Sequence, residues 1–462
     1  MITPHGSASA GTAPTLAARV EGADVADPRE PGKRWTYLVY ALIFSGFAVV
    51  CYLQVYSVVL RLLGAAEHHQ GIRPFLYPSL LWLGMGLVLL ALRTVIWTAY
   101  RPRPAADPEA APRLSVIIPA YNEGAMVLKA IESVARAEYP RENLEILVVD
   151  DGSTDDTWSF ICRAAETYPE LVTPLRHARN RGKREALALA FRTARGEVFV
   201  TLDSDSVVAP NALLALVGPL RDPRIGAVAG KVLVYNRDAG IIPRMLHVRY
   251  VLSFDLLRSI ESVYRTVYCC PGALTALRAA AVRPLLDRWQ NQRFLGRGCT
   301  FGEDRAMTNY LLEAGYDTAY QRSAVVRTVV PTDFVKLAKM LLRWERSAVR
   351  EEIRFARIVW RRPLPICLIA VFDRFVINFR HPIFYTSLGL LVFLGADHPS
   401  MVIRTLTAMG FVSLFNTLYF LRSERSLDFL YGVLYAYFSA FTLFWIYPYA
   451  VLTVRARSWL TR

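Results

Sequence analysis

Cysteine is scarce in this chain, and clustered metal-binding cysteine is missing. Six cysteines occur in 462 residues: Cys51, Cys162, Cys269, Cys270, Cys299 and Cys367, with no CxxC pair and no Cys/His spacing of a metal site. That usage fits a reduced, cytosolic catalytic region. The vicinal Cys269 and Cys270 read as small, half-buried residues, not as a redox pair. Acidic charge is also short, with 39 Asp and Glu against 54 Lys and Arg, a net charge of +15. Such an excess suits phosphate partners. No helix-turn-helix, zinc-finger or RNA-binding signature accompanies it, so no nucleic acid is expected. Basic flanks of membrane spans explain the charge better, with membrane lipids as the partner. No apolar run follows the initiating Met, so residues 1–34 are expected to be a disordered cytosolic tail and not a signal peptide.

What the sequence has in plenty is apolar side chains, at 53% hydrophobic and 20% charged residues. They gather in blocks at the two ends. Residues 35–64 and 75–97 are each long enough to cross a hydrocarbon core, which takes about 20 residues. Residues 35–99 are therefore expected to form two transmembrane helices. Arg29, Lys33 and Arg34 before them and Arg101 and Arg103 after them place both flanks in the cytoplasm. Residues 331–380 mix Phe, Leu and Trp with Lys and Arg, the texture of interfacial amphipathic helices. Residues 381–462 are expected to hold further transmembrane helices. Their number and the side of the C-terminus stay open, because Pro448 breaks the last apolar stretch. The expected location is the plasma or inner membrane, multi-pass, with a cytoplasmic catalytic domain at 100–330.

That central region alternates short apolar strands with helices, which predicts an α/β fold with a mostly parallel, Rossmann-like sheet. Ligands of such sheets sit beyond the carboxyl ends of the strands. Three strand ends read YNE (Tyr121 to Glu123), DDGS (Asp150 to Ser153) and DSD (Asp203 to Asp205). Two carboxylates one residue apart, Asp203 and Asp205, can grip Mg²⁺ or Mn²⁺ together with diphosphate oxygens. Such an ion offsets charge on a leaving nucleotide. Asp150 or Asp151 can accept the N–H of a uracil ring or help hold the ion. The same residues also suit a helix-capping turn. Lys183, in RGKREA, supplies a cation for phosphate. Further on, Gly302-Glu303-Asp304-Arg305 offers Asp304 as the base that takes a proton from an attacking hydroxyl, with Glu303 beside it. Arg343 and Trp344 fall on an amphipathic helix, where guanidinium can bind phosphate and indole can stack on a sugar. The same pair also anchors interfacial helices.

The ordered set VIIPAYNE, VVDDGSTDD, NRGKREAL, LDSDS, FGEDRAMTNYLLEAGY and RWERS resembles processive family 2 glycosyltransferases. It is most similar to hyaluronan synthases and nodulation-type chitin oligosaccharide synthases. The resemblance covers about residues 113–355. It implies a GT-A-like domain inserted between transmembrane helices, a UDP-sugar donor and a growing polysaccharide acceptor. Tyr121, Glu123, Asp150, Asp151, Lys183 and Asp203 would face the nucleotide, and Asp203 and Asp205 the metal. Asp304 would be the base, Arg343 would reach the diphosphate, and Trp344 would stack on the acceptor. Cys270, Pro271 and Gly272 fall in a small-residue loop near the acceptor. One departure stands out: Met340 occupies the place of the Gln in the family's QxxRW motif. The expected activity is inverting polymerisation and export of a hyaluronan- or chitin-type chain. The alternative is transfer of single sugars to a lipid carrier.

Overall fold

Residues 114–120 (LSVIIPA) and 144–150 (LEILVVD) are apolar at nearly every position, as strands covered on both faces must be. In the computed structural model they form β1 (Leu114–Ala120) and β2 (Leu144–Asp150). The two run parallel, with Ala120 opposite Asp150. The described residues are 32–46, 48–49, 52, 78–394, 396–397 and 399–456. The other strands are β3 (Val172–Arg176), β4 (Val198–Thr201), β5 (Ser206–Val208), β6 (Ile225–Val234), β7 (Thr275–Arg278), a small ribbon of β8 (Arg293–Phe294) and β9 (Arg297–Gly298), and β10 (Asp317–Thr328). Eight strands make one sheet in the order β3-β2-β1-β4-β7-β6-β10-β5. Only β7 and β5 run against the rest, so the expected mostly parallel sheet is found.

Helices cover it. Residues 33–46 form helix α1, followed by α2 (Pro78–Ala99), α3 (Met126–Ala135), α4 (Thr157–Thr167), α5 (Lys183–Thr193), α6 (Ala212–Val217), α7 (Ile241–Val251) and α8 (Ser259–Val263). Then come the short α9 (Ala279–Val282) and α10 (Leu286–Gln290), α11 (Glu303–Glu313), α12 (Phe334–Ile358), α13 (Leu364–Leu394), α14 (Pro399–Thr417), α15 (Phe420–Ser423), α16 (Phe429–Thr442) and α17 (Ile446–Leu452).

The flanking regions differ from the sequence expectation in three ways. Among the described residues no single helix is long and apolar enough to cross a membrane; the pair α16 and α17, bent by 51°, meets the length and composition requirement together. Much of the expected first span, 35–64, and the loop after it lie outside the described residues. The apolar stretches 365–379 and 382–395, read as separate, join into the single helix α13 that runs through Pro382. The amphipathic segment after residue 331 becomes α12, whose apolar stripe (Leu337, Leu341, Leu342) enters the main core. Its other buried side is ionic: Glu351 accepts from Asn309 on α11 and from Gln292, and Arg354 pairs with Glu313 at 2.5 Å. Helical spacing puts an apolar and a charged stripe on neighbouring faces, and both find partners in the catalytic domain.

One buried carboxylate fastens the α/β domain to both flanks. Asp255 lies on a π-helical turn (Leu252–Arg258) and meets Lys231 of β6 at 2.8 Å and Arg322 of β10 at 3.2 Å. Ser423 of α15 donates to the same carboxylate, and Trp97 of α2 donates its indole N–H to the Asp255 carbonyl at 2.7 Å. Burial opposes ionisation here, but Lys231 and Arg322 outweigh it and hold this carboxyl well below the usual range. Asp255→Asn leaves two buried cations without their counter-charge, so it is expected to cost roughly 3–5 kcal/mol. A large drop in thermal unfolding temperature of the detergent-purified full chain, at unchanged pH, is the readout.

Candidate active site

The parallel register sets the site. With Ala120 level with Asp150, and with Leu202 donating to the Ile117 carbonyl just past β4, three polar turns leave the sheet along one edge. The first turn, Tyr121 to Gly124, takes left-handed backbone at Asn122 (φ 53°). Ser153 Oγ and Thr157 Oγ1 of the second turn accept its backbone N–H groups at 2.8–3.0 Å. Glu123 then accepts from Ser204 Oγ at 2.9 Å, which ties the first turn to the DSD turn.

Asp150 is fully buried; it accepts from Ser153 N at 3.0 Å and pairs with Arg176 at 2.9 Å. Asp151 accepts from Arg181 N (3.0 Å) and Gly182 N (2.7 Å) and contacts His177 at 2.7 Å. Its carboxylate therefore holds the loop that delivers Lys183 to the first turn of α5. Lys183 Nζ contacts Asp203 Oδ1 and lies 3.5 Å from Glu303 Oε1. Burial works to lower the Lys183 pKa, but the Asp203 and Glu303 carboxylates prevail and raise it, so the ammonium stays charged. Asp205 accepts from Thr328 Oγ1 at 3.0 Å.

Across from this edge sits the GEDR turn. Gly302 takes φ 73° and opens α11. Glu303 is buried, and its Oε2 has no hydrogen-bond partner. Asp304 Oδ1 accepts from Arg305 N at 2.7 Å, while Oδ2 faces Gly272 N at 3.4 Å and Cys269 Sγ at 3.9 Å. Gly272 stands between the two halves: a methyl group on it would lie 2.9 Å from Lys183 Nζ and 3.2 Å from Asp203 Oδ1. Burial, helped by Asp304, pushes the Cys269 thiol up to about 11, and burial raises Cys270 further. Both thiols remain protonated at neutral pH, which removes them as nucleophiles.

A third wall comes from α7 and α12. The Trp344 ring lies 6.3 Å from that of Tyr250 and 5.9 Å from the Arg249 guanidinium. Burial raises the Tyr250 pKa, and the carboxylates of Asp205 and Asp203 add to the rise while Arg249 and Arg343 oppose it. Tyr250 thus lies against the Trp344 ring and within electrostatic reach of the acidic turn. Met340 is buried in the main core, so its thioether fills an apolar slot one turn before Trp344.

Residues 115–286 match the glycosyl transferase family 2 signature. An N-acetylglucosaminyltransferase of Azorhizobium caulinodans is 30% identical over 353 residues, covering 76% of this chain and 87% of that protein. A hyaluronan synthase of Streptococcus pyogenes is 30% identical over 364 residues, covering 76% and 83%. The chain belongs to glycosyl transferase family 2. It is a glycosyltransferase related to hyaluronan synthases and N-acetylglucosaminyltransferases. A mannosyltransferase of Pyrobaculum calidifontis, solved with GDP-mannose and Mn²⁺, has the same fold, with a TM-score of 0.56 at 23% identity over 78% of this chain and 98% of that one.

For a family 2 enzyme the donor set at the DSD turn suits a hard divalent cation. Among the described residues no group of three or more His, Cys, Asp or Glu side chains can hold a metal. Mg²⁺ is ordinarily held by one or two carboxylates together with substrate phosphates. Asp203 and Asp205 supply that number and leave the remaining positions to a diphosphate. The structure thus brings Lys183, Asp203, Glu303 and Asp304 together around Gly272 and ties Glu123 to the DSD turn through Ser204. Asp150 and Asp151 are engaged with the protein itself. Arg249 and Tyr250 escaped the sequence reading: they lie in the stretch VRYVLSFDLLRSIES, but no spacing links them to a tryptophan so distant in the chain.

Gly302, at the start of α11, lies directly against Ser347 and Arg350 of α12. A methyl group there would lie 1.9 Å from Ser347 Oγ. Gly302→Ala is expected to cost roughly 1–2 kcal/mol for left-handed backbone and roughly 1–3 kcal/mol for overpacking. Adding Ser347→Gly should recover part of the second cost and none of the first, because Arg350 Nη2 would still lie 2.8 Å from the added methyl. Unfolding temperatures of the single and double variants check this.

Proposed function

We propose that the chain is a membrane-integrated, inverting family 2 glycosyltransferase that polymerises an extracellular polysaccharide from UDP-sugars, with a hyaluronan-type or chitin-type chain as product. The observation that carries this reading is the placement of Gly272. Gly272, with no side chain, packs against the Lys183–Asp203 pair and turns its N–H toward Asp304, which brings a phosphate-binding cation and a base close together.

In this reading Tyr121 and the Asp150 turn border the uridine, and Asp151 positions the loop that presents Lys183. Lys183 binds the donor diphosphate, and Glu303 keeps its ammonium charged and in place. Asp203 and Asp205 would hold Mg²⁺ or Mn²⁺, as the Pyrobaculum enzyme's Mn²⁺ complex suggests by analogy, and a bound ion would supply positive charge against the departing diphosphate. The acceptor hydroxyl oxygen attacks the anomeric carbon from the face opposite the diphosphate. Its proton passes to Asp304, the bond from anomeric carbon to phosphate oxygen breaks with its electron pair going to UDP, and the configuration inverts. Arg343 extends the cationic wall toward the diphosphate, and Trp344 supports the acceptor ring.

Membrane insertion is part of the proposal. Leu368, Val392, Phe393 and Ile403 on α13 and α14 are exposed, an apolar surface of the kind that seeks lipid. The basic residues flanking 35–99 support a cytoplasmic catalytic domain and a multi-pass location in the plasma or inner membrane. The amphipathic helix α12 joins the site to the second set of helices, so a growing chain that passes Trp344 leaves toward them.

The test is UDP release together with product length, in vesicles holding the full chain and supplied with single and paired UDP-sugars. A wild type that yields only a single-sugar glycolipid would establish the lipid-carrier alternative. Asp304→Asn keeps the shape and removes the base, so turnover should fall by at least about two orders of magnitude. Calorimetric binding of UDP-sugar should persist in that variant and disappear in excess chelator. Trp344→Ala removes a ring contact worth on the order of 1 kcal/mol, so products should shorten before UDP release is lost.

A further inference from the structure

Arg249 is a half-buried cation beside the site, and among the described residues no carboxylate supplies its counter-charge. Near the site, Arg350 pairs with Glu351 at 3.1 Å, Arg354 with Glu313 at 2.5 Å and Arg322 with Asp255 at 3.2 Å. Among the described residues no carboxylate pairs with Arg249, and its Nη1 is buried with no hydrogen-bond partner. Its guanidinium instead lies beside two aromatic rings, Trp344 at 5.9 Å and Tyr435 of α16 at 5.4 Å. A buried guanidinium N–H without an acceptor carries a desolvation cost that a ligand can relieve. The place is specific. Arg249 adjoins the indole assigned above to the acceptor ring, between Trp344 of α12 and Tyr435 of α16.

We propose that Arg249 and Trp344 form an acceptor subsite for an acidic sugar, with the indole face against the pyranose ring and the guanidinium on its carboxylate. This deepens the polymerase reading above and rests on it: the growing chain carries uronate residues, and one of the donors is a UDP-uronate. Guanidinium suits the role because its planar fork meets a carboxylate through two parallel hydrogen bonds. A phosphate on a lipid carrier shares the anionic chemistry. A lipid phosphate, however, has no sugar ring to set against the indole, and the indole lies at the same spot.

The experiment uses the full chain in lipid nanodiscs and two matched oligosaccharides, one ending in glucuronate and one in N-acetylglucosamine. Affinities are measured by titration for the wild type, Arg249→Gln and Arg249→Lys. The wild type should prefer the uronate-ended chain. Arg249→Gln should weaken that chain by about ten- to a hundredfold, the range for a hydrogen bond to a charged group, and leave the neutral chain within about twofold. Arg249→Lys, which keeps charge without the fork, should fall between. Equal weakening of both chains by Arg249→Gln would make Arg249 a support for the aromatic rings and overturn the proposal. Arg249-dependent binding of a polyprenyl phosphate in place of the uronate would overturn it as well. Long polymer made from one neutral donor, with UDP-glucuronate ignored, would overturn this inference and leave the polymerase reading standing. A wild type limited to single-sugar products removes the polymerase reading itself.

Discussion

The ammonium of Lys183, set between the carboxylates of Asp203 and Glu303, is the contact on which the rest of the site depends. It joins three segments that share no local structure: the first turn of α5, the turn after β4 and the start of α11. An ion triad of this kind holds only when all three members arrive together. Each is delivered by a separate device. Asp151 grips the backbone before Lys183, the parallel register fixes Asp203, and the left-handed Gly302 turns the chain into Glu303. The ammonium in this triad is held charged and in place by its two carboxylates.

Gly272 and the cysteine pair before it give the triad its working space. A side chain at Gly272 would press on both Lys183 and Asp203, and its backbone N–H faces Asp304. The loop is therefore a thin partition between the triad and Asp304. Thiols held protonated by burial line it without competing as nucleophiles. The partition also explains why the GEDR turn must be braced from behind: Arg350 Nη2 holds the Phe301 carbonyl at 2.6 Å, and Trp289 Nε1 holds that of Glu303 at 2.8 Å.

A second centre, Asp255, acts at a distance from the chemistry. Its π-helical turn follows the helix that carries Arg249 and Tyr250, and its partners come from β6, β10, α2 and α15. The wall facing Trp344 and the attachment of the flanking helices thus share one buried charge. Apolar packing alone tolerates sliding, whereas a carboxylate between two cations has one low-energy position. Buried ionic groups of this sort supply register more than stability.

Much of this was legible in the residues. Apolar runs ending in YNE, DDGS and DSD fix buried strands and put their polar ends on one edge, because the strand period and the parallel connection leave little choice. GEDR and RW, in their order along the chain, carried the family resemblance. The sequence could not give the long-range geometry. Asp150 and Asp151 look like ligands in one dimension, and only the fold shows that they also hold Arg176, His177 and the loop before Lys183. The amphipathic pattern of α12 fits a membrane surface as well as it fits α11 and α17, since periodicity reports an apolar stripe and not what covers it. Arg249 gains meaning only beside Trp344, a neighbour brought by tertiary packing. Local pattern determined the strands, their chemical ends and the family; which carboxylates gather at Lys183 and which aromatic rings surround Arg249 was decided by contacts between segments far apart in the chain.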